Sequence, residues 1–299
     1  MLSPDKLAAL DLSLWLRSGE EAAQRLAISQ PTVSRRLRQS LELFELKLLK
    51  REQEWELRGS PTKLQLLAME RHVHQTSRWL DQGALRIEGT YWSGPLLLRP
   101  EPPGWLGGRH DIVGVQRPLQ WLRDRVIDAW LAGGPDWPQD DDPEFSVIGL
   151  CTMPVHAVVA PEHPLLESLN QGQELSWDDV AAFPSLALTP GAYPRVETSP
   201  RRLGLWSSPK RMNRYRRDRW EGKSEQELMV GYATVLSEQV AGQLVRLPLQ
   251  LPLASGEALV LRRDWGEHPR ALALAAELRQ RLEPWAARYP ELQLTPLPL

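Results

Sequence analysis

The 299-residue sequence predicts an α+β protein in which an N-terminal helix-turn-helix unit precedes a larger α/β region. Three observations predict this fold class. Helices with polar starts and apolar stripes fill the first 80 residues, and one of them carries a cluster of arginines. After Gly83, short apolar runs alternate with amphipathic segments, which is typical of an α/β architecture with a mostly parallel sheet.

Three helices are predicted at the N-terminus. The first carries leucines at three- and four-residue spacings, which indicates burial. The second begins after Ser18, because a glutamate stands three positions later, in the pattern of a capping box. Ser29 caps the third helix, whose first turn tolerates Pro31. The apolar positions of the third helix are Val33, Leu37, Leu41, Phe44 and Leu48.

Two strands and further helices are predicted beyond residue 45. Segment 46–58 alternates like two short strands around a tight turn, and a helix runs from Ser60 to about Leu80. Much later, Ser224 and Glu227 form a second capping-box pair. This pair predicts a helix through the segment SEQELMVGYATVL.

Composition excludes several classes of protein. The formal net charge is −2, with the first 82 residues carrying more basic than acidic side chains and the remainder the reverse. Cys151 is the one cysteine, so no intramolecular disulfide forms, a reducing compartment is indicated, and the thiol is expected to be inert. The N-terminus lacks an export pattern, and the longest apolar run is too short to span a membrane. We expect a soluble cytoplasmic protein.

The polar face of the third helix carries side chains that recognise nucleic acid. Glutamine pairs with adenine, arginine with guanine, and hydroxyls with phosphate. Ala22 and Ala23 fit the crossing of two helices, and the helix N-terminus at Ser29 offers free backbone N–H groups to an anion. The alternative is a surface helix whose arginines are only solvated. The exposed polar residues are Gln30, Thr32, Ser34, Arg35, Arg36 and Arg38.

The segment AAQRLAISQPTVSRRLRQ resembles the N-terminal motif of the LysR-type bacterial transcriptional regulators. GALRIEGTYWSGPLLL is similar to the first strand and helix start of that family's effector-binding domain, and VHAVVAPEHPL to the start of its second subdomain. The resemblance implies a winged helix-turn-helix, a linker helix that dimerises, and a two-lobed α/β domain like a periplasmic binding protein. It also implies a small effector that binds between the lobes and changes how dimers or tetramers bend promoter DNA.

The resemblance also implies domain boundaries and site residues. The winged helix-turn-helix would span 1–59, the linker helix 60–83 and the effector-binding domain 84–299, with its second lobe at roughly 144–250. The residues expected at DNA are Ser29, Gln30, Pro31, Thr32, Ser34, Arg35, Arg36 and Arg38. The residues expected at the effector are Thr90, Tyr91, Trp92, Ser93, Gly134, Thr189 and Thr234.

The expected partners follow from the same resemblance. They are double-stranded promoter DNA, a small-molecule effector and further copies of the chain in a homodimer or homotetramer, with no membrane. No cofactor is expected. No zinc, calcium, phosphate-loop, dinucleotide or hydrolase motif occurs, so we expect neither a metal site nor an enzyme.

The sequence departs from the family pattern at several positions. Ser40 stands where the family has leucine, and Glu45 where it has glycine. The Gly-x-Gly turn of the second lobe is represented by Gly231 and Ala233. The wing, which is usually basic, is acidic here and would repel phosphates. Its acidic residues are Glu52, Glu54 and Glu56.

Three questions stay open at the level of sequence. The basic segment 201–220 is either a solvated loop that pairs with acidic residues or a contact for nucleic acid, an acidic partner or an anionic effector. The C-terminal domain is either a sensor or a scaffold that has lost its ligand and serves in oligomerisation or partner binding. A third possibility, an enzyme fused to a helix-turn-helix, lacks a catalytic motif.

Overall fold

The computed structural model describes residues 3–51, 54–81, 83–185, 188–206 and 228–297. Most of the basic segment, 207–220, and the Ser224–Glu227 pair lie outside these residues. The N-terminal elements are α1 (Pro4–Leu16), α2 (Gly19–Leu26), α3 (Gln30–Leu43), β1 (Lys47–Arg51), β2 (Glu54–Arg58) and α4 (Pro61–Trp79). The following elements are β3 (Leu85–Gly89), α5 (Gly94–Leu97), β4 (Trp105–Gly107), α6 (Gln116–Arg123), β5 (Ala129–Gly133), β6 (Phe145–Val159), α7 (Pro164–Asn170), α8 (Trp177–Ala181), α9 (Pro194–Arg202), β7 (Gly231–Ala233), α10 (Ser237–Val240), β8 (Val245–Arg262), α11 (Pro269–Arg288) and β9 (Gln293–Leu294).

These elements form two compact units. Unit 1 comprises residues 1–87, 103–109 and 119–129, and unit 2 comprises residues 88–102, 110–118 and 130–299. The predicted division at residues 59, 83, 144 and 250 stays a prediction.

Unit 1 begins with the helix-turn-helix and its wing. Ser18, Ser29 and Ser60 cap α2, α3 and α4, each accepting a hydrogen bond from the backbone N–H three residues later. β1 and β2 form the antiparallel hairpin of the wing, with Lys47 opposite Arg58. The core of this part is formed by Leu7, Leu10, Leu14, Phe44, Leu46 and Leu67.

Two of the departures from the family pattern, Ser40 and Glu45, have local structural explanations. Ser40 is fully buried, and its hydroxyl lies within hydrogen-bond distance of the carbonyls of Lys6 and Arg36, at 3.1 and 3.0 Å, so its polar group is satisfied between α1 and α3. Glu45 adopts a positive φ of 51°, a conformation that favours glycine. Its carboxylate pairs with Lys63 at 2.8 Å.

A buried charge cluster connects α1, α4 and β3 within unit 1. Arg71 Nε donates to Asp11 at 2.9 Å, and Arg78 donates to both oxygens of Asp128 at 2.8 and 3.0 Å. The backbone N–H of Arg86 also donates to Asp128, at 2.9 Å. Burial lowers the pKa of Arg86 to about 10, so it remains charged at neutral pH. Each aspartate therefore has buried cationic partners that offset its desolvation.

Unit 2 contains a sheet in which β5, β8, β6 and β7 follow in this order, and β9 also pairs with β6. β3 and β4 are parallel, as predicted, but β6 runs antiparallel to β7, β8 and β9. The expectation of a mostly parallel sheet is therefore wrong for the longest strands. Among the described residues, no helix is long and apolar enough to cross a membrane.

The helix predicted after Lys223 is wrong for its described part. Residues 231–233 form β7, whose Ala233 pairs with His156 of β6, and Val230 forms a bridge with Ser185. Val230 is fully buried in an apolar cluster with Ala157 and Val159 of β6. Tertiary pairing with β6 therefore outweighs the local helix signal.

Loss of one buried aspartate should destabilise the protein strongly. We expect Asp128→Asn to lower the free energy of unfolding by about 3–5 kcal/mol, because it leaves Arg78 without its buried counter-charge. Asp5→Asn is the matched control, since Asp5 is exposed and pairs with Arg36 at 3.1 Å. It should cost less than about 1 kcal/mol. Equal effects in urea unfolding would contradict the role assigned to the cluster.

Candidate functional site

The outer face of α3 is the first candidate site. Ser29, Gln30, Pro31, Ser34, Arg35 and Arg38 are exposed. Arg35 and Arg38 lie about one turn apart, so both guanidinium groups extend from the same side of the helix. Gln30 Nε2 donates to Ser34 Oγ at 3.0 Å, which orients the glutamine amide along this face. The first turn at Ser29 leaves backbone N–H groups without intrahelical acceptors.

Two predicted DNA residues are placed differently from the rest. Arg36 is only half-exposed and lies beside α1, where it pairs with Asp5 at 3.1 Å. The hydroxyl of Thr32 forms a 2.9 Å hydrogen bond with that of Ser29, so these two side chains serve the helix cap. The structure thus brings most of the predicted set onto one face and turns Arg36 away from it.

The wing next to α3 has more basic than acidic side chains, with Lys47, Lys50, Arg51 and Arg58 against Glu52, Glu54 and Glu56. Glu56 pairs with Arg58 at 2.9 Å within β2. Lys50 of β1 lies 5.8 Å from the ring centre of Trp55, in a cation–π contact. Glu52 lies outside the described residues. Because basic residues lie among the carboxylates of the wing, the repulsion from DNA phosphates expected from sequence is weaker.

A cavity in unit 2 is the second candidate site. Its volume is about 120 Å³. The described lining residues are Tyr91, Trp92, Gly134, Val155, Leu188, Tyr193, Val196, Trp206, Tyr232, Ala233, Thr234, Ser237, Leu251, Leu253 and Ser255. Leu251, Leu253 and Ser255 alternate along β8, so they share one face of that strand. Among the described lining residues none carries a formal charge.

The structure brings together four of the seven predicted effector residues. Tyr91, Trp92, Gly134 and Thr234 line the cavity. Thr90 and Ser93 do not line it; both are buried, and their hydroxyls lie 2.6 Å apart. Thr189 is also absent from the described lining, and its carbonyl accepts from the N–H of Ala192 at 2.9 Å.

Sequence reasoning missed the aromatic residues that form much of the wall. Tyr193 precedes α9, Trp206 follows it, and Tyr232 lies in β7. The ring centres of Trp92 and Tyr193 are 5.8 Å apart, and those of Trp206 and Tyr232 are 6.0 Å apart. The unusual number of tryptophans, 13 in the chain, was the available signal, but it does not say which of them meet.

A buried carboxyl fixes the position of Trp92. The indole Nε1 of Trp92 donates to Glu257 Oε1 at 3.0 Å, and the hydroxyl of Ser93 also bonds to Glu257. Gly133 leaves room for the indole, because a Cβ at that position would overlap the ring. The wall at Trp92 is therefore held by hydrogen bonds from behind and by the absence of a side chain at Gly133.

Burial raises the pKa of three acidic groups at the cavity, those of Glu257, Tyr193 and Tyr232. It raises the pKa of Glu257 to about 8, although the bonds from Ser93 and Trp92 favour the ionised form. Burial also raises the pKa of the phenols of Tyr193 and Tyr232. These three groups therefore add little negative charge to the cavity at neutral pH.

Other reactive groups do not form a site. Cys151 of β6 is buried, and burial raises the pKa of its thiol, so the reactive thiolate is disfavoured. Within the described ranges, no group of three or more histidines, cysteines or carboxylates could hold a metal ion.

Glu257 should make stability depend on pH. Its folded pKa of about 8 exceeds the ordinary value of 4.5, so its contribution is present below about pH 4.5 and is lost as the pH rises through about 8. Relative to Glu257→Gln, the wild type should lose a few kcal/mol of unfolding free energy across this interval, to order of magnitude. Glu283→Gln, at an exposed position of α11, is the control. Parallel pH profiles of wild type and Glu257→Gln in urea unfolding would contradict the assignment.

Comparisons with known proteins identify the fold. Residues 111–202 match the model of the LysR substrate binding domain. A full-length OxyR variant from Pseudomonas aeruginosa is 15% identical and has a TM-score of 0.56, covering 93% of this chain and 95% of its own. ArgP from Mycobacterium tuberculosis is also 15% identical, with a TM-score of 0.52 and coverage of 94% and 97%.

A third solved structure has a similar fold. A hydrogen-peroxide-bound mutant of OxyR from Corynebacterium glutamicum is 15% identical, has a TM-score of 0.51 and covers 96% of both chains. The comparison with curated protein sequences gives no match. At such low identities the solved structures establish the fold, a winged helix-turn-helix followed by a linker helix and a two-lobed α/β domain. Residues 111–202 are therefore similar to the LysR substrate binding domain, and the solved structures share the fold of this chain.

Proposed function

We propose that the protein binds promoter DNA through α3 and responds to a small molecule in the cavity of unit 2. The observation that carries the proposal is the exposed face of α3, where Arg35 and Arg38 accompany Gln30 and Ser34 at a free helix N-terminus. Arginines and hydroxyls on one helix face can contact phosphates and base edges together. Promoter DNA lies in the cytoplasm, which is therefore the compartment in which the protein would act.

The sensor function is supported by the cavity. Its aromatic and aliphatic walls with a few hydroxyls are typical of small-molecule sites. The alternative of a C-terminal scaffold without ligand has no observation in its favour, because the cavity retains about 120 Å³. We propose a regulator without catalytic activity and without a resident cofactor, since neither α3 nor the described cavity lining presents a nucleophile beside a base.

The linker helix α4 supports self-association. Its residues Leu66, Met69, Val73 and Leu80 are exposed, with exposed fractions of 45%, 61%, 61% and 63%. Their spacings of three, four and seven residues place them in one stripe, as in a coiled coil. The opposite face of α4 is buried and carries Leu67 and Trp79 as well as Arg71, Gln75 and Arg78. An apolar stripe exposed to water is explained if a second copy covers it, in a homodimer or within a homotetramer.

DNA affinity should depend on Arg35 far more than on Arg36. Arg35→Ala should weaken binding to fragments around the protein's own gene by about tenfold or more, and it should reduce the salt slope by about one. Arg36→Ala is the matched control, because Arg36 pairs with Asp5 beside α1. Fluorescence anisotropy across a salt series measures both. Absence of salt-dependent binding by the wild type, or equal losses in the two variants, would refute DNA binding by this face.

Self-association should depend on the apolar stripe of α4. Val73→Glu should shift the protein toward the monomer in sedimentation velocity, because it places a charge in the buried seam. Ala68→Glu introduces the same charge at an exposed position away from the stripe and should leave the assembly intact. If Val73→Glu keeps the wild-type mass while Ala68→Glu lowers it, another surface joins the copies.

A further inference from the structure

We infer that the cavity of unit 2 takes a neutral, single-ring aromatic molecule that carries a hydrogen-bond donor, of which phenol is the simplest example. The inference rests on the proposed function, in which this cavity holds the effector. The size of the cavity, the shape of its walls and its lack of charge each support the inference.

The size of the cavity matches one ring. Its volume is about 120 Å³. An apolar cavity of about 150 Å³ in another protein binds benzene, so the space here is on the scale of a single ring.

The walls present aromatic surfaces from several elements. Tyr91 and Trp92 meet edge to face, with ring centres 4.7 Å apart, and Trp92 lies at 50° to Tyr193. Trp206 and Tyr232 form a second aromatic pair, with an interplanar angle of 64°. Tilted rings of this kind offer both faces and edges to a planar ligand, the arrangements that aromatic pairs prefer.

The described lining opposes a charged ligand. It contains no formal charge, and burial keeps the phenols of Tyr193 and Tyr232 protonated. A carboxylate that entered would lose water and gain no counter-charge among these residues. The basic segment 207–220 lies outside the described residues, so a benzoate titration tests directly whether its charges reach the ligand.

Ser255 indicates that the ligand carries a donor. Its hydroxyl donates to the carbonyl of Gly134 at 3.1 Å. A hydroxyl whose hydrogen is already used in this way offers only lone pairs to a ligand. The O–H of a phenol can donate to this oxygen, whereas the oxygen of its methyl ether, anisole, cannot.

Calorimetric titration of the full-length protein tests the inference. The probes are phenol, anisole, benzoate and cyclohexanol at pH 7, where phenol is neutral and benzoate is ionised. We expect phenol to bind about tenfold more tightly than anisole, which lacks the O–H donor, and than benzoate, which would bury an unpaired charge. Cyclohexanol keeps the donor but lacks the aromatic ring, so it should bind about threefold to tenfold more weakly than phenol. Ser255→Ala should reduce phenol affinity to that of anisole.

Cavity-filling variants locate the binding. Leu251→Trp should abolish phenol binding, and Leu253→Phe, at a less buried position, provides a second filled variant if the first does not fold. Leu49→Trp makes the same substitution at an exposed position of β1 and should bind phenol like the wild type. Binding that survives in both filled variants would overturn the inference.

Each remaining outcome is decisive. Benzoate binding as tight as phenol binding would overturn the neutral-ligand inference, and no binding of any probe would overturn the aromatic one. The proposed function is tested separately on the same preparations, because Arg35→Ala should lose DNA and keep phenol. A protein that binds phenol but no DNA keeps this inference and loses the regulator function; one that binds DNA but no phenol does the reverse.

Discussion

Two buried aspartates impose the constraint on which unit 1 depends. Asp11 of α1 and Asp128 before β5 are almost inaccessible to water, so each must have cationic partners inside the protein. Arg71 and Arg78 supply them from one face of α4. The linker helix is therefore oriented by its polar side chains, and its apolar stripe is left facing outward. The buried arginines share their face with Leu67 and Trp79, so the position of α4 is connected with the surface through which copies would associate.

Polar groups also define the two candidate sites. On α3, Ser40 is held between the carbonyls of Lys6 and Arg36, and Arg36 itself meets Asp5 of α1. These contacts fix the rotation of α3 so that Arg35 is exposed on the other side. At the cavity, the protonated carboxyl of Glu257 holds Trp92 in the wall without adding charge to the lining. In both places the side chain that we propose to contact a ligand is oriented by a less exposed polar neighbour.

Sequence patterns predicted helix starts and caps better than the strand pairings that depend on long-range contacts. Serine caps at Ser18, Ser29 and Ser60 are local signals and are confirmed, as are the helices that they begin. The apparent helix through 231–233 failed because pairing with β6 is a long-range contact that a capping pattern does not report. The glycine expected at Glu45 was informative in another way, since the positive φ persists with a less suitable residue.

The site residues are also hard to predict where they depend on long-range contacts. Tyr91, Trp92, Gly134 and Thr234 were expected because the family resemblance implies their positions, and all four line the cavity. Tyr193, Trp206 and Tyr232 lie on segments that meet only in the folded unit, so no local spacing indicated them. Glu257 was missed because an isolated glutamate in a strand has no sequence signal for burial. Its partner Trp92 was predicted as a ligand contact, but its fixed orientation required the structure.

Chromatin immunoprecipitation of the protein in its own cells tests the central claim most directly, because it asks whether α3 brings the intact protein to promoters. We expect discrete enrichment at intergenic sites for the wild type and its loss for Arg35→Ala at equal protein levels. Uniform background in the wild type, or enrichment that persists unchanged in Arg35→Ala, would contradict it.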